Sequence, residues 1–254
     1  MRVVIATGLY PPEIGGPALY AAGVAQALEK KGYQSAVVTF GNLRNYPSGL
    51  RHLMYVARLY RASRGASAIF AFDTFSTGVP AALIARIRRI PLVIRIGGDF
   101  LWERYLERTN DLVPLPDFYT SHRALSLKER VSFRLVRWML REAYLAFNSE
   151  WLLEIWREPY NIDVQRTRIV ENVIGKRITP LPSDNTLLLY GRTLALKNHE
   201  RFTRAFARTK EHGSSMTLEE GIVPHAELIN RMRSAYAIAV TSVPSRIRPA
   251  RARQ

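Results

Sequence analysis

The sequence contains no cysteine among its 254 residues. Disulfide bonds and thiolate metal sites are therefore excluded, and a reducing compartment is the natural expectation. Long apolar runs are also missing, and those present are far too short to span a bilayer. The chain starts with Met1-Arg2, leads directly into a strand pattern and lacks the features of a secretory signal. We therefore expect a cytoplasmic protein.

Acidic residues are scarce: 21 Asp and Glu stand against 37 Lys and Arg, which gives a net charge of +16. Such an excess favours anionic partners, which include phosphates, nucleic acids and anionic lipids. The chain has no interleaved basic and aromatic residues and no recognition-helix pattern, so nucleic acid is not the expected partner. The five histidines show no metal-ligand spacing, and neither a metal nor another cofactor is expected.

Apolar strand patterns alternate with helical patterns along the chain, which predicts an α/β fold with parallel sheets. A polar, proline-bearing stretch over 175–185 interrupts this alternation. It divides the chain into a predicted N-terminal domain, 1–178, and C-terminal domain, 179–254. The predicted strands are Val3–Ala6, Ser35–Thr39, Ala68–Phe72, Leu92–Ile96, Leu145–Phe147, Thr167–Val170, Leu187–Tyr190, Ser215–Leu218 and Ala237–Thr241. The predicted helices are Pro17–Lys31, 50–63, Thr77–Arg88, 126–142, Ser149–Arg157, His199–Glu211 and His225–Ser234.

Two glycines stand between the first strand and the first helix, in Tyr10-Pro-Pro-Glu-Ile-Gly-Gly16. Glycine lets the backbone approach a ligand closely, and a helix N-terminus offers unpaired N–H groups to an anion. Gly15 and Gly16 are thus candidates for a phosphate site. The alternative is an ordinary strand-to-helix loop.

A second strand, glycine turn and helix start lies at Leu187–His199 and carries two cations. Gly191 frees the turn, Arg192 offers a planar fork of donors that matches phosphate oxygens, and Lys197 adds a point charge. Such a pair is suited to neutralising a leaving diphosphate, where negative charge grows as a sugar–phosphate bond breaks. The alternative is a solvated arginine and lysine on a loop.

Together the two motifs resemble the family-four glycosyltransferases, which carry Y-P-P-x-x-G-G in the first loop and G-R-x-x-x-x-K at the start of the C-terminal domain. The resemblance covers about residues 1–243. It implies a GT-B fold of two doubly wound, Rossmann-like domains, with the acceptor on the N-terminal side. It also implies that Gly15, Gly16, Arg192 and Lys197 bind the diphosphate of a nucleotide-sugar donor. The implied reaction is sugar transfer to a glycan or lipid-linked acceptor, with retention of configuration and without a divalent metal.

The loop Arg95-Ile-Gly-Gly-Asp99 follows the fourth predicted strand. In many relatives a histidine or aspartate of this loop faces the acceptor sugar. The resemblance therefore implies a catalytic role for Asp99 on the acceptor side, where it would orient a hydroxyl. The alternative is that Asp99 caps the N-terminus of a following helix.

The resemblance is incomplete near the C-terminus. Family-four enzymes hold the donor sugar with a Glu-x7-Glu pair well beyond the G-R-x-x-x-x-K motif, where this chain turns to an arginine-rich tail over Pro244–Gln254. The pairs Glu142/Glu150 and Glu219/Glu227 have the spacing but precede the expected location, so neither is assigned a donor role. We expect an incomplete second domain, truncated or frameshifted, with a loosely held segment beyond 180. An inactive remnant that binds anions or glycans is the alternative to an active transferase.

A basic stripe follows the predicted helix 126–142. It is interpreted either as a peripheral contact with an anionic membrane, at its inner face, or as a solvated outer face above an ordinary core contact. The stripe consists of Arg130, Arg134, Arg137 and Arg141, and the adjacent apolar face consists of Leu127, Val131, Leu135 and Trp138.

Overall fold

The computed structural model describes residues 1–121, 123–172, 184–191 and 194–242. All paired strands in these ranges are parallel and alternate with helices, so the predicted α/β class is confirmed. The chain divides into two compact units: unit 1 comprises 1–101 and 125–172, and unit 2 comprises 102–124 and 173–254. The domain boundary placed between 178 and 179 lies outside the described residues and stays a prediction.

Unit 1 is built on a six-stranded sheet with the order β2-β1-β3-β4-β5-β6. Its strands are β1 Arg2–Thr7, β2 Gln34–Thr39, β3 Ala68–Ala71, β4 Leu92–Ile96, β5 Tyr144–Phe147 and β6 Thr167–Ile169. β1 lies between β2 and β3, with Val4 opposite Ala36 on one side and Ile69 on the other. The strand order reverses between β1 and β3, which is the topological switch point of a doubly wound sheet.

The helices are α1 Gly16–Lys30, α2 Ser48–Ala62, α3 Gly78–Arg88, α4 Phe100–Thr109, α5 Leu115–Phe118, α6 Leu127–Glu142, α7 Glu150–Arg157, α8 His199–Glu211 and α9 His225–Ser234. In unit 1, α3 packs against both α2 and α6, so these three helices form one layer. α6 begins with a capping box, in which Ser126 and Glu129 each bond the other's backbone N–H.

The core of unit 1 lies between the sheet and its helices. Ile5, Ile69 and Ile94, on three neighbouring strands, are completely buried. Trp156 of α7 stacks on Tyr160 with ring centroids 4.3 Å apart. The central strands carry apolar residues on both faces. This is typical of a parallel sheet, because helices pack against each of its sides.

Unit 2 contains a three-stranded parallel sheet with the order β8-β7-β9, formed by β7 Thr186–Tyr190, β8 Thr217–Gly221 and β9 Ala237–Ile238. Among its described residues after 183, the buried apolar side chains are Leu188, Leu189 and Ala235, and α8 buries none. The segment 102–124 adds α5 and most of α4, where Trp102 Nε1 donates to the carbonyl of Val113 at 2.8 Å.

Several elements differ from the sequence predictions. β8 was predicted at Ser215–Leu218 but begins later and includes two glutamates, because Glu219 is bonded by Tyr190 and Glu220 by Thr203. β9 ends at Ile238 rather than at Thr241. α5 was not predicted, and α4 was considered only as the helix that Asp99 could cap. The charged residues of α4 masked its buried positions, which are Leu101, Trp102, Tyr105 and Leu106.

Candidate functional site

The candidate residues of unit 1 follow the carboxyl ends of its parallel strands and so share one edge of the sheet. Gly15 and Gly16 lie between β1 and α1, and Asp99 lies between β4 and α4. Ligands of doubly wound proteins bind at this edge, in the crevice at the switch point. The sheet topology therefore brings the first-loop glycines and the Asp99 loop to the edge where such a site is expected.

The glycine loop has a backbone that only glycine adopts readily. Gly15 has φ +153° and ψ +153°, and its carbonyl accepts from the Leu19 N–H at 3.2 Å. Gly16 opens α1, and a Cβ added there would meet nothing within 4 Å. Glu13 steadies the preceding turn by accepting from the Tyr10 N–H at 3.2 Å. This leaves an open backbone at a helix start, and phosphate binding there stays a prediction.

Asp73 follows β3 on the other side of the switch point and is not among the site candidates predicted from the sequence. Its Oδ1 accepts from the backbone N–H of Phe75 at 2.6 Å and of Ser76 at 2.9 Å. Its Oδ2 would lie 3.6 Å from a Cβ added at Gly8, the residue after β1. Burial raises the pKa of the Asp73 carboxyl, and the backbone hydrogen bonds partly oppose that rise.

Tyr55 of α2 lies within reach of this carboxylate. Burial, and next the charge of Asp73, raise the pKa of the Tyr55 hydroxyl well above its ordinary value. The hydroxyl therefore remains protonated and donates to the carbonyl of Val38 at 3.0 Å. Asp73 and Tyr55 thus place a carboxyl and a phenol beside the switch point.

Arg95, the one polar residue of β4, is a second residue that sequence reasoning missed as a site candidate. It is 6% exposed, and its guanidinium bonds the carbonyls of Ile96 and Ala146, both at 3.3 Å, and Asn172 Oδ1 at 2.7 Å. It also lies 5.1 Å from the ring centroid of Tyr20. All of these partners are neutral, so none of them cancels the positive charge of Arg95 near the ligand-binding edge. The signal in the sequence was a lone arginine in an apolar strand.

Asp99 occupies the position directly before α4 and is 1% exposed. That position is the one a helix-capping residue takes. The preceding loop is fixed to its neighbour, because Asn148 Nδ2 donates to the carbonyl of Gly97 at 3.2 Å. The acceptor role of Asp99 stays a prediction.

In unit 2 the candidate residues lie after β7. Gly191 has φ +151°, and a Cβ added there would lie 3.7 Å from the ring of His199, the first residue of α8. Lys197 ends a short 3₁₀ turn over Ala195–Lys197, and its Nζ donates to Ser242 Oγ at 3.3 Å rather than to a carboxylate. Thr241 Oγ1 donates to the Lys197 carbonyl at 2.5 Å. The loops after β7 and β9 are thereby joined.

Arg192, the other predicted donor ligand, lies outside the described residues. Within unit 2, a cavity of about 370 Å³ adjoins the start of α8. Its lining includes Asn198, His199, Arg201 and Arg204. The lining also includes Glu200, which pairs with Arg204 at 3.4 Å.

The glutamate pairs with Glu-x7-Glu spacing have other partners. Arg231 forms ion pairs with both Glu219 and Glu227. Glu142 pairs with Arg86 at 2.7 Å, and Glu150 opens α7. These contacts give structural reasons for acids at those positions. Over the described ranges, no group of three His, Asp or Glu side chains is arranged to hold a metal ion.

The apolar residues of α6 lie on two different sides of the helix. The core contact is made by Val136, Met139 and Leu140. The apolar face next to the arginines is exposed instead: Leu127, Val131 and Leu135 keep 75%, 46% and 38% of their surface accessible. Trp138, the fourth residue of that face, is half-buried. The core contact of α6 is therefore made mainly by residues outside this face, and both interpretations of the stripe stay predictions. No helix in the described ranges has the length and apolar content needed to cross a bilayer.

No protein-family model matches this chain, and no curated protein matches it. Several solved structures do match it. The UDP-GlcNAc 2-epimerase of Methanocaldococcus jannaschii, in complex with UDP-GlcNAc and UDP, shares 13% identity at a TM-score of 0.51, over 95% of this chain and 74% of that one. S. aureus MnaA with UDP gives 13% identity and a TM-score of 0.52, over 94% and 68% of the two chains.

A third solved structure, the UDP-GlcNAc 2-epimerase of Neisseria meningitidis bound to UDP-GlcNAc, has 12% identity and a TM-score of 0.52, over 94% of this chain and 72% of that one. The fold is of the GT-B type. At these identities the likeness establishes the fold alone. The GT-B architecture predicted from the sequence is thus confirmed, whereas membership of family four stays a prediction.

Proposed function

We propose that this protein transfers a sugar from a nucleotide-diphosphate-sugar donor to an acceptor hydroxyl of a glycan or lipid-linked glycan. The observation that carries the proposal is the loop after β7. There Gly191 has a φ of +151° in the turn that leads to α8, and the Lys197 ammonium is free of carboxylate partners among the described residues. A cation that is not neutralised by the protein suits an anionic ligand.

In this proposal Lys197 and Arg192 bind the donor diphosphate. The charge on the leaving nucleoside diphosphate rises as the sugar–phosphate bond breaks, and a preorganised cation stabilises it more in the transition state than in the ground state. In unit 1 we propose that Gly15 and Gly16 offer their backbone and the helix start of α1 to a phosphate group. The proposed chemistry requires no divalent metal, because the two cations supply the charge.

On the acceptor side we propose Asp99, supported by its place after β4 at the ligand-binding edge. Its carboxylate would orient the attacking hydroxyl. Asp73 is a second acid at the same edge, and burial raises the pKa of its carboxyl, as is common for groups at functional sites. Comparing the turnover of Asp99→Asn with that of Asp73→Asn separates the contributions of the two acids to sugar transfer.

Isomerisation of a nucleotide sugar is a second candidate reaction. The solved structures with TM-scores above 0.5 include UDP-GlcNAc 2-epimerases with UDP or UDP-GlcNAc bound, which supports a nucleotide-sugar ligand without selecting the reaction. The two reactions differ in their products: transfer releases the nucleoside diphosphate, whereas isomerisation keeps the sugar attached.

The first test is calorimetric titration of the full chain with UDP and with GDP. We expect binding that falls about 10- to 100-fold in Lys197→Ala, as the loss of one charge-assisted hydrogen bond implies, and further in the double variant with Arg192→Ala. Lys210→Ala is the matched control, because Lys210 lies in the exposed last turn of α8. Binding that is equal in all variants would contradict the donor site.

Turnover is then measured with UDP-GlcNAc and the released nucleotide and sugar are separated. Release of UDP with a glycosylated product supports transfer. Recovery of an epimeric nucleotide sugar supports isomerisation. Binding without either product would identify a non-catalytic binding protein.

A further inference from the structure

The helical layer formed by α2, α3 and α6 has an unusual balance of charge. It carries ten basic residues but two acidic ones. Glu129 is completely buried in the capping box of α6, and Glu142 is paired with Arg86. The outward charge of this layer is therefore almost entirely positive. Its basic residues are Arg51, Arg58, Arg61, Arg86, Arg88, Lys128, Arg130, Arg134, Arg137 and Arg141.

The same layer exposes large aliphatic side chains. Leu127, Val131 and Leu135 recur every four residues and form one exposed row along α6. Leu83 and Ile87 do the same on α3. A single exposed leucine is ordinary, but repeated rows on two neighbouring helices are not explained by packing within unit 1.

The exposed row and the arginines share the outer side of α6. Val136, Met139 and Leu140 hold the opposite side against unit 1. Arg130 follows Leu127 by three residues and Arg134 follows Val131 by three, so the charges lie beside the aliphatic groups. With 16 residues, α6 is about 24 Å long and presents a substantial amphipathic surface.

We infer that the α2–α3–α6 layer docks on the surface of an anionic lipid bilayer, with Leu127, Val131 and Leu135 entering the headgroup boundary and the neighbouring arginines meeting lipid phosphates. Helices that lie in this interface combine a basic face with an aliphatic one. Anionic headgroups supply the complementary charge. A nucleic acid would use the cations but would offer no apolar region to the aliphatic rows, because its surface is phosphate, sugar and base. The inference is independent of the proposed sugar transfer.

The test is flotation of the full chain with vesicles of phosphatidylcholine alone and with vesicles containing about one-third phosphatidylglycerol. Two triple variants separate the contributions: Leu127→Gln, Val131→Gln and Leu135→Gln remove the aliphatic row, and Arg130→Gln, Arg134→Gln and Arg141→Gln remove three charges. The matched control is Arg201→Gln, Arg204→Gln and Arg208→Gln, which removes the same charge from α8, a helix without exposed large apolar residues.

We expect binding to the anionic vesicles alone, at least about 10-fold weaker partitioning in each α6 variant, and little change in the α8 control. Far-UV circular dichroism checks that each variant is folded. We expect folding to be retained, because the substituted side chains are exposed. The inference is overturned if wild type does not bind anionic vesicles, or if the aliphatic variant binds like wild type. It is also overturned if duplex DNA competes fully for the bound protein, or if the exposed row mediates self-association at the same concentration instead.

Discussion

At the residue scale, Gly15 and Gly16 differ in what their backbone demands. Gly15 has a conformation that is almost restricted to glycine, whereas Gly16 is the first residue of α1 and has open space around its Cβ position. We predict that Gly15→Ala lowers the free energy of unfolding by about 1–3 kcal/mol. Gly16→Ala is the matched control and should be neutral or stabilise by about 0.4–1 kcal/mol.

Urea denaturation followed by circular dichroism measures both values. The prediction is contradicted if Gly16→Ala lowers the free energy of unfolding as much as Gly15→Ala does. In that case the helix start, rather than the Gly15 backbone, would limit substitution.

Asp73 gives a prediction about pH. Its carboxyl has a raised pKa in the folded protein, so between about pH 4, its ordinary value, and the raised value the native state holds a proton that the unfolded state has lost. The contribution of Asp73 to stability is therefore present below pH 4 and lost as the pH rises through this window. Asp73→Asn does not titrate but keeps an oxygen for the Phe75 and Ser76 N–H groups.

We expect Asp73→Asn to gain stability relative to wild type between about pH 4 and pH 7. Urea unfolding at both pH values measures this change. A difference between the two proteins that does not depend on pH would show that the carboxyl titrates normally.

At the element scale, the start of α6 depends on its capping box. Ser126 Oγ accepts from the Glu129 N–H at 3.3 Å, and Glu129 Oε2 accepts from the Ser126 N–H at 2.7 Å. We predict that Ser126→Ala lowers the free energy of unfolding by about 1 kcal/mol, since the Glu129 N–H loses its acceptor at the helix start. Ser126→Thr keeps the hydroxyl and should recover most of the loss. Thermal or urea unfolding of the three proteins decides this.

At the scale of the whole molecule, burial is distributed unevenly. Six parallel strands in unit 1 enclose an extensive apolar core, whereas the described residues after 183 bury three apolar side chains under a three-stranded sheet. We predict that amides of β7 and β8 exchange through openings of lower free energy than amides of β1 and β4. Hydrogen exchange monitored by mass spectrometry at peptide resolution measures this, and equal protection of both sheets would contradict it.

The sequence sufficed for the order and type of most elements. β4, α8 and α9 begin and end where the sequence pattern predicts. Local periodicity carries this information, because a helix or a buried strand repeats its apolar residues at its own spacing. The glycine motifs could be predicted for the same reason, since each depends on a few consecutive residues after a strand. α4 was considered only as an alternative role for Asp99, because its buried positions alternate with charged ones.

Other features were decided by the tertiary structure. The pattern of α6 shows two apolar faces, but only packing against unit 1 determines that Val136 and Met139 are buried and Val131 is exposed. Likewise, Asp73 approaches Gly8 and Arg95 bonds Asn172 across long stretches of sequence. A linear sequence specifies local spacing and total charge, and so determined the fold class and predicts anionic partners. Which charges are buried, paired or presented outward depends on which strands become neighbours, and that is fixed when the sheet assembles.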